Sequence, residues 1–150
     1  MYNNIALLIG HLVGDYILQN DYQAVNKSKH SYAGQAGCAL HCFLYSTAVA
    51  TCVVVAGWRT FDPGLSWPVA FVVAYVTHFP IDRWSLAAWW GKLIKQTSFG
   101  AVMRTRKASY GEVEVEAFSP RAFFVAPVYI AVDNTMHLIL MWVAFSLLGG

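Results

Sequence analysis

From Gly34 to Gly57 the chain runs without one charged side chain. A helix of that length and apolarity suits a lipid bilayer, whose core about 20 helical residues cross. The stretch therefore reads as a membrane span. Three further apolar stretches repeat the signal, giving spans at about 5–20, 34–57, 66–90 and 123–148. The first is short and must borrow from its flanks. Asp62-Pro63-Gly64 makes a tight turn that joins the second and third into a helical hairpin. The expected fold class is all-α: one integral membrane domain, a four-helix bundle with one polar loop between helices three and four. Composition agrees, since 12% of residues are charged against roughly 25% in soluble domains. A formal charge of +2 is too small to argue for nucleic acid, and none is expected. Met1-Tyr2-Asn3-Asn4 lacks the positive start of a cleavable signal.

The basic residues set the expected topology. Lys27 and Lys29 fall between spans one and two. Arg83, Lys92, Lys95, Arg104, Arg106, Lys107 and Arg121 fall between spans three and four or at their ends, and Arg59 alone lies on the other side. The positive-inside rule then places both termini outside a bacterial cytoplasmic membrane, crossed several times, with the basic loops in the cytoplasm. The loop from Gly91 to Arg121 carries the run Arg104-Thr105-Arg106-Lys107 and the alternating stretch Gly111-Glu112-Val113-Glu114-Val115-Glu116. Period-two alternation suits a short strand or hairpin. A solvated loop whose basic part touches anionic headgroups accounts for the rest.

Within the apolar stretches sit His11 and Asp15, His78 and Asp82, and Asp133 and His137, each pair four residues apart. Residues at i and i+4 share a helix face. The order reverses in the last pair, on the helix that runs back. Every Asp thus faces the same bilayer surface, with every His one turn deeper. His41 supplies a fourth imidazole from the remaining helix. An Asp near a helix centre costs about 2.5–3.5 kcal/mol on insertion scales, and intramembrane ionisable groups mark function. A divalent ion relieves the load, because structural metal binding returns on the order of 10 kcal/mol.

The expected metal ligands are His11, Asp15, His41, His78, Asp82, Asp133 and His137. Seven exceed what one tetrahedral ion needs, so some support the others or there are two ions. Imidazole with carboxylate suits Zn first, with Fe or Mn as alternatives. Asp15, Asp82, Asp133 and His41 are the candidate catalytic groups, as general base, proton shuttle or orienting acceptors. Gln19 and Lys27, nearer the interface, are placed to meet an anionic headgroup. Cys38, Cys42 and Cys52 share one helix and read as small packing residues. Gly10 and Gly14 form a small-xxx-small pattern for close helix contact.

The order His11-Leu12-Val13-Gly14-Asp15-Tyr16-Ile17-Leu18-Gln19, Asn26-Lys27-Ser28, Leu40-His41, His78-Phe79-Pro80-Ile81-Asp82 and Asp133-Asn134-Thr135-Met136-His137 resembles a family of small integral membrane proteins of bacteria and phages catalogued as a domain of unknown function. The resemblance spans essentially the whole chain. Members typically show Asp-Gln where this chain has Asp133-Asn134, and commonly a shorter loop before the last helix. More loosely the pattern is similar to membrane-bound metal-dependent hydrolases. That likeness implies metal-assisted hydrolysis of a lipid-linked or headgroup ester, in which a bound ion activates water. The expected partners are membrane lipids, with a homo-oligomer as a further expectation. Two rival functions use the same groups: a proton- or metal-ion-coupled transporter or channel, and a non-catalytic membrane interaction protein of phage or bacterium. A di-iron oxygenase is disfavoured, because such bundles use Glu at i, i+3 to His.

Overall fold

The computed structural model describes residues 4–95, 106–110, 113–117 and 120–148. The helices are α1 (Asn4–Leu12), α2 (Asp21–Asn26), α3 (Tyr32–Val55), α4 (Ser66–Arg83), α5 (Leu86–Lys95) and α6 (Pro120–Leu148). A π-helical turn, Val13–Ile17, continues α1, and a 3-10 turn, Pro63–Leu65, leads into α4. Among the described residues three helical segments are long and apolar enough to cross a membrane: Tyr32–Val55, Pro63–Arg83 and Pro127–Leu148. The fourth expected span is a shorter apolar helix, Asn4–Ile17.

Local chemistry sets the helix ends. Asn20 and Gln23 form a reciprocal cap on α2, each side chain accepting from the other residue's backbone N–H at 3.1 and 2.8 Å. Ser31 caps α3 by accepting from Gly34 N–H at 3.1 Å. The third span was expected to run on to Trp90; instead α4 stops at Arg83. Ser85 takes a left-handed backbone, φ 48°, which interrupts the ladder, and α5 starts afresh at Leu86. Pro80 lies inside α4, so the helix continues past it despite the lost N–H.

The chain divides into two compact units, Met1–Ser85 with Met136–Gly150, and Leu86–Thr135. In the first, α3 packs on both α1 and α4. Its core joins Leu7, Tyr45, Val49, Val53, Trp58, Ala70, Ala74, Met141 and Phe145. The Trp58 indole N–H donates to Phe145 O at 3.0 Å and ties the end of α3 to α6. Small residues permit the approach of α1 to α3: a Cβ on Gly10 would lie 2.8 Å from Val49 Cα. Many large apolar side chains point outward, among them Phe43, Val72, Val76, Ile139 and Leu147. An exposed apolar surface of this kind marks a membrane or protein interaction.

The second unit holds α5, the first part of α6, and the short hairpin that the alternating stretch suggested, in an otherwise helical chain. Strands β1 (Arg106–Tyr110) and β2 (Val113–Ala117) pair antiparallel, with Tyr110 opposite Val113 and Arg106 opposite Ala117. The Val113-Glu114-Val115-Glu116 alternation is the source of β2. Arg104 and Thr105, and Gly111 and Glu112, lie outside the described residues.

Candidate metal centre

In the first unit every helix except α2 sends an imidazole or carboxylate to one buried point, and α2 leads to Lys27. His11 comes from α1, Asp15 from the π turn, His41 from α3, His78 and Asp82 from α4, and His137 from α6. The four histidines are at most 1% exposed and Asp82 is 4% exposed. In the π turn Leu18 N–H reaches back five residues to Val13 O at 3.0 Å, and such widened turns recur at functional sites.

The central separations are short and mutual. His41 Nε2 and His78 Nε2 stand 3.0 Å apart, and Asp82 Oδ2 lies 3.1 Å from each. Asp15 Oδ1 lies 3.2 Å from His41 Nε2 and 3.6 Å from His78 Nε2. Donors held about 2.0–2.1 Å from one ion stand roughly 3.0–3.4 Å from each other. Most of these spacings fall in that window. Asp82 Oδ2 and Asp15 Oδ1 are buried yet accept no aligned hydrogen bond, although ring nitrogens stand within 3.2 Å of both. His41 Nε2 and His78 Nε2 meet in hydrogen-bond geometry, whereas the two carboxylate oxygens face that pair without an aligned hydrogen, as donors around a common centre do. Among the described residues of this unit, two sets can hold an ion: His41 with His78 and Asp82, and Asp15 with His78 and His137.

Other groups brace these donors. Lys27 Nζ binds the second oxygen of Asp82, Oδ1, at 2.8 Å, and its side chain is 20% exposed where the Asp82 side chain is 1%. The Lys27 loop is clamped against α3, since a Cβ on Gly34 would meet Lys29 O at 2.5 Å, and Arg83 donates to that same carbonyl at 3.1 Å. Tyr45, fully buried, touches His11 through its hydroxyl at 2.8 Å and stacks on His78 at 3.6 Å between ring centres. His137 stacks on the other imidazole partner, His78, at 4.1 Å, and its Nε2 is 3.6 Å from Asp82 Oδ1.

Of the expected ligands, the structure thus gathers Asp15, His41, His78, Asp82 and His137 in the ligand sets. His11 belongs to neither set; its Nδ1 faces Tyr45 and, at 3.4 Å, Asp15 Oδ2. Asp133 stands half-buried on α6, one turn before His137, within the second unit. Gln19 is partly buried, and its amide nitrogen has no hydrogen-bond partner among the described residues. Cys38 and Cys42 face one another at 4.0 Å, and His30 is an exposed loop residue. Sequence reasoning passed over Tyr45. Its signal was there: a hydroxyl one turn after His41 in a charge-free span.

These features define a helical protein with segments of membrane-spanning length and a buried His/Asp cluster able to hold a metal ion. The chain belongs to the family described as protein of unknown function (DUF3307), whose model matches residues 4–149. No curated protein and no solved structure matches it.

Proposed function

We propose that this chain is an intramembrane metalloprotein that hydrolyses a lipid or headgroup ester. The observation that carries it is the triangle of His41 Nε2, His78 Nε2 and Asp82 Oδ2, with sides of 3.0 and 3.1 Å, buried among apolar helices. Nitrogen and carboxylate donors favour Zn, with Fe or Mn as alternatives, and Asp15 and His137 give room for a second ion. When bound, such an ion supplies Lewis acidity and an activated water. The protein's part is to fix the donors, to exclude bulk water, and to accept a proton at Asp15 or His137.

Lys27 marks the open side. Its ammonium is the more exposed partner of the Asp82 pair, and with Gln19 it is suited to an anionic headgroup. The Arg83 to Lys29 bond puts these two basic residues at one end of the long helices, and Arg59 sits beyond the far end of α3. By the positive-inside rule that basic end is cytoplasmic. The test is elemental analysis of detergent-purified protein never exposed to chelator, followed by lipid-ester turnover in mixed micelles. Near-stoichiometric metal, lost in Asp82→Ala together with turnover, is the expected result. Metal-free wild-type protein overturns the metal reading. Metal without turnover, but with His78-dependent ion flux in proteoliposomes, replaces hydrolysis by transport.

A further inference from the structure

Among the described side chains around the candidate centre, Tyr45 faces four histidines. Its ring stacks on His78, 3.6 Å between centres at 18°, and stands edge-on to His11 at 5.8 Å. His41 and His137 rings each lie 6.2 Å away. The pocket that holds the ring is made by a missing side chain: a Cβ on Gly14 would fall 2.4 Å from Tyr45 Cδ2. Gly14 and Asp15 are neighbours in the π turn, so the same widened turn admits the ring and presents the carboxylate.

The hydroxyl fixes a proton arrangement. The Tyr45 hydroxyl passes its one hydrogen to Met141 Sδ at 3.1 Å, so toward His11 it accepts. His11 Nδ1 therefore carries a hydrogen and donates it to the Tyr45 hydroxyl oxygen at 2.8 Å. The same nitrogen stands 3.4 Å from Asp15 Oδ2, an ion-pair distance. Met141, Tyr45, His11 and Asp15 thus form one line of contacts across four elements. At its end, Asp15 Oδ1 stands 3.2 Å from His41 Nε2.

We propose that Tyr45 is the positioning residue of this centre: through His11 it aims the Asp15 carboxylate, and by its ring face it aims the His78 imidazole. One side chain then sets two ligands drawn from different helices, and His11 serves as a support behind Asp15 instead of a ligand. The proposal rests on the metal reading above. Partners of this kind behind a ligand change metal affinity by about 10–100-fold when removed.

The test uses the full chain in detergent, with zinc affinity measured by chelator competition and the Co(II) form read by its absorption. Tyr45→Phe keeps the ring and removes the hydroxyl. The expected result is a folded protein, unchanged in gel-filtration elution, with zinc binding weakened about 10–100-fold and an altered Co(II) ligand-field band. Tyr45→Leu, which also removes the ring from His78, weakens binding further. Met141→Leu takes away the hydroxyl's acceptor and weakens zinc binding several-fold; it carries the test should Tyr45→Phe not fold. Wild-type affinity and an unchanged Co(II) spectrum in a folded Tyr45→Phe or Met141→Leu protein overturn the proposal while the metal centre stands. A wild-type protein that binds neither zinc nor Co(II) overturns both.

Discussion

Asp82 divides its two oxygens between two tasks. Oδ2 joins His41 and His78 at 3.1 Å, while Oδ1 takes the Lys27 ammonium at 2.8 Å. The two partners therefore respond differently to mutation. Asp82→Asn keeps the shape but removes the charge that both the ion and Lys27 need, so metal content falls to background. Lys27→Met leaves Asp82 compensated by the ion, so metal is retained while KM for an anionic lipid rises about tenfold or more, as the loss of one charge-assisted contact implies. Metal analysis and turnover on the two purified variants check this; equal metal loss in both would deny Lys27 a role separate from the ligands. The pairs His11/Asp15 and His78/Asp82 were legible in the sequence because i and i+4 meet on any helix. The Lys27–Asp82 bond and the Tyr45 hub were not. They join residues distant in the chain, and only the packing of α3 on α1 and α4 brings them together.

At the scale of elements, the π turn does what a regular helix would not. It opens the end of α1 just where Gly14 meets Tyr45, and Gly14 is one residue from Asp15. The small-xxx-small spacing of Gly10 and Gly14 announced close helix contact in the sequence, but not the widened turn, which has no composition signal. Gly14→Ala forces its methyl against the Tyr45 ring, and overpacking of this kind costs about 1–3 kcal/mol. Because the displaced ring is the one stacked on His78, the variant loses metal affinity as well as stability. Thermal unfolding in detergent and zinc titration on Gly14→Ala measure the two losses; a destabilised variant with wild-type zinc affinity would separate the packing from the site. The end of α4 was misjudged for a related reason. Trp84 to Trp90 continue the apolar pattern, and pattern alone does not register the left-handed backbone at Ser85.

For the molecule as a whole, burial makes metal binding a matter of stability. Hydropathy made the long helices legible, and the reversed Asp133/His137 order gave the expectation of one shared level. In the first unit His78 stands in contact with both His41 and His137. The strand pair of the second unit follows a weaker signal, a few alternating residues between spans, which sequence alone left open between strand and solvated loop. In the first unit Asp15 and Asp82 are carboxylates in an apolar interior, and among the described residues the ammonium of Lys27 pairs with Asp82. An ion held there would remove that imbalance and favour the folded chain over the unfolded one. Ligand at a hundred times its Kd then adds about 2.7 kcal/mol, and for a chain of this size that raises Tm by about 5–10 °C. Zinc added to chelated protein in detergent is expected to give this rise, magnesium much less because imidazole donors suit it poorly, and Asp82→Asn none. A zinc-independent Tm in the wild-type protein would mean that the buried carboxylates are balanced by protons and neighbouring side chains alone, and the cluster would then be a polar staple of the bundle.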